Sequence, residues 1–237
     1  MLLDLAKVRM SVRDRVVRMG VGPFRRPAEL MAGYGRFGDW LKTYPSEHSF
    51  HSRTALYDFI NGSILGGGPI DYLEFGVFRG ESIRYWSKLN RDEGSRFIGF
   101  DSFEGVSEPW VTSLLGLNTI EMKEFDVGGV APAIPDRRVS FVKGYFQDSL
   151  PGFLEGYRPT APLVIHMDAD LYTSTLYVLC SIDHLIRPGT VILFDEFASI
   201  NHEFRALNDY VASYRHGYTL LGYTKPYYHQ IAIRIDH

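Results

Sequence analysis

Three acidic side chains follow two apolar runs of the sequence, and together they could bind a metal ion. Asp168 follows the run 163–165, and Asp195 and Glu196 follow the run 191–194. Because ligand sites in doubly wound sheets lie at the carboxyl ends of the strands, we expect the three carboxylates to converge there. Oxygen ligands suit Mg²⁺, Mn²⁺ or Ca²⁺ better than zinc.

A glycine-containing turn forms a second candidate site. The sequence Asp71-Tyr-Leu-Glu-Phe-Gly-Val-Phe-Arg-Gly-Glu-Ser82 runs from a short apolar strand, through the turn, into a helix start. Gly76 and Gly80 lack Cβ atoms, so the backbone can bend tightly and approach a ligand closely. The negative charge of Glu74 disfavours a phosphate and favours a cationic ligand at this turn.

Asp101 ends the next predicted strand, 25 residues after Gly76. An acidic residue at this position of a doubly wound fold accepts hydrogen bonds from ribose hydroxyls. The dinucleotide fingerprint G-x-G-x-x-G is nevertheless absent, because Phe78 stands where its second glycine would be. The turn therefore favours a cationic ligand that carries a ribose over NAD.

Five motifs in register resemble those of the class I S-adenosylmethionine-dependent methyltransferases. They lie within about residues 70–200 and are similar to motifs of the macrocin O-methyltransferase family and, more distantly, the catechol O-methyltransferase family. The motifs span residues 73–82, 100–105, 143–151, 166–175 and 188–197.

The resemblance implies a binding site for S-adenosylmethionine. Glu74 would contact its amino group, Ser82 its carboxylate and Asp101 its ribose diol. Phe146 would border the adenine and Phe103 would stack on it, although both could equally be core residues. The complete implied set is Glu74, Phe75, Gly76, Val77, Phe78, Gly80, Ser82, Asp101, Ser102, Phe103, Gly144, Phe146, Gln147 and Asp168.

The same resemblance implies that Asp168, Asp195 and Glu196 hold Mg²⁺. Glu196 departs from the family patterns, which have Asp-Asp or Asp-Asn at the last two positions. The catechol-type lysine base is replaced by Leu171, which favours a sugar hydroxyl over a catechol as the acceptor. Asp168 or His202 would then accept the proton of the acceptor.

Two other residues near Asp168 have more than one interpretation. Asp170 could join the site or cap the N-terminus of the following helix, since Asp is a favoured N-cap residue. His166 lies inside an apolar strand, where we expect a core histidine with satisfied hydrogen bonds rather than a base.

The predicted function is metal-assisted O-methylation of a sugar or a glycosylated natural product. A sugar hydroxyl is a weaker acid than a phenol, whose pKa is about 10, so a metal ion would assist its deprotonation. Three alternatives stay open: methylation of a phenolic small molecule, a non-catalytic module that binds S-adenosylmethionine, and, more remotely, hydride transfer.

Strand and helix patterns alternate along the chain and predict an α/β fold. It is a doubly wound, mostly parallel, Rossmann-like sheet of seven strands, with a C-terminal antiparallel strand and helices on both faces. We expect a basic helical extension or cap over residues 1–50 and a methyltransferase domain over 51–237. Within that domain, residues 104–138 form a lid-like insertion, because loops of this length usually carry function. The predicted strands are 71–77, 96–102, 139–144, 162–168 and 190–195, followed by a hairpin of 218–224 and 230–235.

Composition and net charge limit the classes of partner that the sequence suggests. The formal net charge of −3 over 237 residues argues against a nucleic-acid binder. No apolar run approaches the length of a membrane span, and no signal-peptide core is evident, so we expect a cytoplasmic protein. The single cysteine, Cys180, has the spacing of a buried helix position. The basic N-terminal segment is expected to pack on its own domain or on a second subunit, with an anionic or membrane surface as the alternative.

Overall fold

The fold is an α/β sandwich, seen in a computed structural model that describes residues 22–111 and 119–237. The helices are α1 (Gly22–Thr43), α2 (Arg53–Phe59), α3 (Glu81–Leu89), α4 (Phe146–Gly156), α5 (Tyr172–Ile182) and α6 (Glu203–Tyr214), with a π-helical turn at Ile60–Ile64 and a 3-10 turn at Asp183–Leu185. The strands are β1 (Ser49–Phe50), β2 (Asp71–Phe75), β3 (Arg96–Asp101), β4 (Trp110–Val111), β5 (Thr119–Ile120), β6 (Val139–Lys143), β7 (Leu163–Met167), β8 (Val191–Phe194), β9 (Tyr218–Thr224) and β10 (Ile231–Ile235).

The main sheet has the strand order β1-β9-β10-β8-β7-β2-β3-β6. β6, β3, β2, β7 and β8 are parallel, and β10 runs antiparallel to both β8 and β9. The predicted doubly wound fold with an antiparallel C-terminal strand is confirmed. The predicted count of seven strands is wrong, because the two-residue β1 pairs with the edge of β9 and makes an eighth. A strand of two residues carries too little alternation to be recognised in a sequence.

Helices cover both faces of the sheet, which leaves the central strands without solvent contact. Every residue of β2, β7 and β8 is buried. One apolar layer contains Ile165 and Phe194, and the opposite layer contains Trp86 and Val191. Continuous apolar strands are expected when both faces are packed, and this packing fixes the strand ends that carry the acidic residues.

Helix α1 packs on the main core. Trp40 is only 3% exposed, its Nε1 donates a hydrogen bond to the Tyr218 hydroxyl at 2.7 Å, and its ring centroid lies 4.9 Å from that of Phe197. Residues 34–43 therefore belong to a helix packed on the core, and none of them lines the cavity described below. The basic segment before residue 22 lies outside the described residues, so its predicted role stays a prediction.

The described part of the segment 104–138 contains the antiparallel strand pair β4–β5 and an antiparallel bridge between Glu104 and Asp126. Residues 112–118 lie outside the described part of the chain. Among the described residues, every helix is too short or too polar to span a lipid bilayer.

Candidate functional site

A cavity opens at the carboxyl ends of five neighbouring parallel strands. Each strand contributes a residue at or just beyond its end: Gly76 from β2, Asp101 from β3, Gly144 from β6, Asp168 from β7 and Asp195 from β8. This is the edge at which doubly wound sheets bind ligands. The predicted sites for metal and cofactor therefore share one cavity.

Gly76 brings the turns after β2 and β7 into contact. Its φ angle is +94°, and a Cβ atom there would lie 1.8 Å from the carbonyl oxygen of Asp168. Any other residue would separate the two turns, because the contact is between backbone atoms and cannot be relieved by a side-chain rotation. The close approach of the two turns therefore depends on glycine at position 76.

Asp101 organises the glycine turn from the neighbouring strand. Its Oδ2 accepts hydrogen bonds from the backbone N–H groups of Val77 (2.7 Å) and Phe78 (2.8 Å), and its Oδ1 accepts one from Phe103 (2.7 Å). Oδ1 keeps a further lone pair, since each carboxylate oxygen can accept two hydrogen bonds. Asp101 can therefore hold the turn and still accept a hydrogen bond from a ligand.

Four carboxylates crowd the cavity wall: Asp168, Asp170, Asp195 and Glu196. Burial, followed by repulsion from Asp195 and Asp170, raises the pKa of Asp168 well above its ordinary value. Burial, followed by repulsion from Glu196, raises the pKa of Asp170 to about 8. The shared cause is negative charge held close together and away from water, an arrangement that favours a bound cation.

Asp195 differs from its neighbours because cations lie beside it. Arg53 Nη1 is 3.6 Å from its Oδ2, and His166 Nε2 is 3.8 Å from its Oδ1. Burial alone would raise the pKa of Asp195, but His166 and Arg53 outweigh it and hold that pKa below its ordinary value. Asp195 therefore keeps its negative charge.

Glu196 points toward a different partner. Its Oε1 lies 3.3 Å from His229 Nε2, and its backbone N–H donates to Oε2 of the buried Glu203 at 3.0 Å. The closest potential metal-binding group in the described chain contains His166, Asp168 and Asp195, with ligand atoms within 4.8 Å of one another. Whether Glu196 completes a metal site stays a prediction.

The residues do fit a divalent cation. Asp168 and Asp195 offer carboxylate oxygens within one ligand shell, and the four carboxylates of the cavity wall supply the excess negative charge that a cation would neutralise. Hard oxygen ligands of this kind match Mg²⁺ or Mn²⁺.

The structure divides the predicted site residues between the cavity and the layer below it. Those that line the cavity are Gly76, Phe78, Asp101, Ser102, Gly144, Phe146, Gln147, Asp168, Asp195 and Glu196. Those that do not line it are Glu74, Phe75, Val77, Gly80, Ser82, Phe103 and His202. Phe103 is fully buried, with its ring centroid 6.1 Å from that of Phe141, a placement that matches the core-packing alternative.

His202 precedes α6 and its Nδ1 accepts the backbone N–H of Tyr172 at 3.3 Å. Its predicted role as a base stays a prediction. Asp170 does not cap α5: the N-cap residue is Leu171, no side chain caps this helix end, and the Asp170 side chain faces the cavity.

Sequence reasoning missed several residues of the cavity wall, and three of them bear on its chemistry. Arg53 comes from α2, and Trp110 and Phe125 come from the 104–138 insertion. The aromatic content of the insertion was a signal that it could cover a pocket, but nothing in the sequence indicated which rings would face inward. Arg53 gave no signal, because an arginine at the start of a helix is ordinarily solvated.

Comparison with known proteins agrees with this geometry. A family model described as a methyltransferase domain matches residues 73–197, more than half of the chain. This chain belongs to the methyltransferase domain family. The predicted class I methyltransferase family is thereby confirmed, and the matched residues include the glycine turn and all four acids of the cavity wall.

A curated relative from Streptomyces olivaceus is 30% identical over 170 residues, which cover 65% of this chain. It is named as the 4'-O-methyltransferase of 8-demethyl-8-(2,3-dimethoxy-alpha-L-rhamnosyl)-tetracenomycin C. The chain spans 61% of the length of that relative.

Solved methyltransferase structures share the fold. The O-methyltransferase NovP superposes with a TM-score of 0.59 at 19% identity, covering 78% of this chain and 80% of NovP. The calicheamicin methyltransferase CalS11 superposes with a TM-score of 0.60 at 20% identity, covering 76% of this chain and 77% of CalS11. A Bacillus cereus O-methyltransferase, solved in complex with SAH, gives 0.51 at 17% identity, covering 96% of this chain and 97% of that one.

Proposed function

We propose that this protein transfers the methyl group of S-adenosylmethionine to a hydroxyl oxygen of a sugar, most simply a sugar carried by a natural product, with assistance from Mg²⁺. The observation that carries the proposal is the meeting of the Gly76 turn and four carboxylates in one cavity. The curated relative named for a rhamnosyl substrate supports the choice of a sugar acceptor.

The donor would lie along the strands β2, β3 and β6. Asp101 Oδ1 would accept a hydrogen bond from the ribose, while Phe146 and Gln147 border the adenine and Glu74 neutralises the methionine amino group. Phe146, Gln147 and Asp101 line the cavity, whereas Glu74 lies just beneath it at 1% exposure. The assignment of Glu74 is therefore tested separately below.

The acceptor would lie between the acids and the aromatic side chains of the insertion. Phe125 lies with its ring centroid 5.5 Å from that of Phe78 and 6.4 Å from that of Trp110. These three rings line the same cavity as the four carboxylates and give it an apolar part beside a strongly acidic one. A sugar presents C–H faces and hydroxyl groups, so it can contact both parts at once, and the rings exclude water from the transferred methyl group.

Alignment is the main catalytic contribution of the chain, because methyl transfer from a sulfonium is an in-line displacement with a good leaving group. Mg²⁺ would be held by Asp168, Asp195 and Glu196, and when bound it would make the acceptor hydroxyl more acidic. We assign acceptance of the hydroxyl proton to Asp168. Leu171 stands where a catechol-type lysine base would be, which disfavours a phenolic acceptor.

The test combines binding and turnover. Titration calorimetry with S-adenosylhomocysteine should show binding, and methylation of a panel of rhamnosides and catechols should favour the rhamnosides and decrease with EDTA. Preference for catechols would overturn the sugar assignment. Binding without methylation of any acceptor would indicate a non-catalytic module, and no binding would overturn the proposal as a whole.

A further inference from the structure

Beneath the cavity floor, a buried chain of hydrogen bonds joins Glu74 to Asp195. His166 lies at its centre: its Nδ1 is 2.7 Å from the Tyr72 hydroxyl, and its Nε2 is 3.3 Å from the Tyr57 hydroxyl. Tyr72 donates to Glu74 Oε2 at 2.5 Å, and Tyr57 donates to Asp195 Oδ1 at 3.4 Å. All five residues are buried, with at most 6% of their surface exposed.

Strand register places these groups together. Glu74 of β2 lies directly opposite His166 of β7, and Tyr72 is two residues before Glu74. Since side chains two residues apart lie on the same face of a strand, Tyr72, Glu74 and His166 share one face of the sheet. Tyr57 reaches the same point from α2, the helix that also carries Arg53.

His166 contacts both hydroxyls and lies close to both carboxylates. Each phenol has a single proton, and Tyr57 and Tyr72 each donate theirs to a carboxylate. The ring nitrogens of His166 also lie 3.4 Å from Glu74 Oε2 and 3.8 Å from Asp195 Oδ1. A single imidazole ring therefore links the surroundings of the two acids.

We propose that His166 is a positioning residue that fixes Glu74 on the donor side and Asp195 on the acceptor side of the reaction. This inference rests on the proposed function, in which Glu74 binds the methionine amino group. A carboxylate without a partner would be costly to bury at either position, and the chain of bonds holds both carboxylates in one orientation. The competing interpretation is a core histidine that only fills space.

Two substitutions of His166 test its link to Glu74 and its link to Asp195 separately. His166→Asn keeps an amide nitrogen near the position of Nδ1 and can still reach Tyr72, whereas His166→Gln keeps one near Nε2 and can still reach Tyr57. Tyr72→Phe and Tyr57→Phe remove the same links from the other partner. Tyr210→Phe is the matched control, because Tyr210 is also buried and its hydroxyl donates to Asp183 away from the cavity.

The readouts are the affinity for S-adenosylhomocysteine by calorimetry and kcat with an acceptor that the wild type methylates. Loss of one hydrogen bond to a charged group predicts about tenfold weaker binding in His166→Gln and Tyr72→Phe. His166→Asn and Tyr57→Phe should keep that affinity and lose about tenfold in kcat. The control should match the wild type in both.

The result that overturns the inference is affinity and kcat close to wild type in all four variants, or the same loss of both in all four. If the histidine variants fail to fold, as judged by circular dichroism, the two tyrosine variants decide the question alone. If the wild-type protein binds S-adenosylhomocysteine and the variants behave like it, only the proposed role of His166 is wrong. If the wild-type protein neither binds S-adenosylhomocysteine nor methylates an acceptor, the proposed function and this inference are both wrong.

Discussion

Asp71 and Asp168 lie at opposite ends of the same parallel sheet, and their surroundings differ. Asp71 begins β2 and is fully buried, yet its carboxylate accepts hydrogen bonds from Arg96 Nε (2.5 Å) and Nη2 (2.9 Å) and from the backbone N–H groups of Thr160 (2.5 Å) and Ala161 (3.0 Å). Asp168 follows β7, among acids whose repulsion and burial raise its pKa.

The two ends of the sheet differ in how their acidic side chains are paired with cations. At the amino ends of the strands, the buried Asp71 pairs with Arg96, and the partly exposed Asp136 pairs with Arg138 at 2.7 Å. At the carboxyl ends, four acids share the nearby cations Arg53 and His229 and the buried His166. An arrangement that costs stability and lies in a cavity indicates a binding function.

The largest expected effect is at the carboxyl ends. Asp168→Asn should lower kcat by about 10³-fold, within the range for loss of a general base, and leave the affinity for S-adenosylhomocysteine within a few fold. It should also raise the melting temperature, because it removes a buried charge that its neighbours repel. Enzyme kinetics, calorimetry and thermal unfolding measure the three quantities. A lower melting temperature in Asp168→Asn would contradict the difference that we draw between the two ends of the sheet.

Asp195→Asn tests the carboxyl ends of the strands at the acid that has cationic partners. It should also abolish turnover, but it should lower the melting temperature, because Arg53 and His166 lose their shared partner. Loss of S-adenosylhomocysteine binding in this variant would contradict the assignment of Asp195 to the metal side.

At the amino ends, Asp71→Asn should destabilise the fold by about 2 kcal/mol, since it weakens the hydrogen bonds that the buried carboxylate accepts from Arg96 and from two backbone N–H groups. Activity per folded molecule should stay at the wild-type level. Urea denaturation measures the change, and Asp39→Asn is the matched control, because Asp39 pairs with Lys42 on the surface at about 80% exposure. Equal effects of the two substitutions would show that burial of Asp71 has no consequence.

A smaller effect is expected in the insertion. Phe125→Ala removes a ring that contacts Phe78 and Trp110, so it should raise the KM for the acceptor by about tenfold while leaving donor affinity unchanged. Steady-state kinetics with each substrate varied in turn distinguishes the two. If only the affinity for the donor changed, the insertion would not form part of the acceptor site.

The smallest effect concerns pH. Hydrogen bonds from Arg138 lower the pKa of Asp136 below its ordinary value. A lowered folded-state pKa adds stability above the unfolded-state pKa of about 3.9, and this stability is lost as the pH falls through the folded-state value. Asp136→Asn should therefore cost about 1 kcal/mol at neutral pH, and this cost should decrease as the pH falls below the unfolded-state value. A difference that is independent of pH would contradict the ion pair.

The strands were the most predictable part of the molecule. β2, β3, β6, β7 and β8 were predicted to within two residues at each end, because continuous apolar runs ended by glycine or an acid leave little freedom in their limits. The two-residue β1 was not predictable, since its pairing with β9 overrides a weak local signal.

The sequence by itself determined which residues stand at the strand ends, because the order of apolar runs and turns places Gly76, Asp101, Asp168 and Asp195 at one edge of any doubly wound sheet. Only the tertiary structure decided what surrounds them. The cationic partners of Asp195, the aromatic wall of the insertion and the position of Glu74 below the cavity depend on contacts between segments far apart in the chain. His166 shows the reason: whether a buried histidine is filler or a link between two carboxylates depends on strand register, which no single strand encodes.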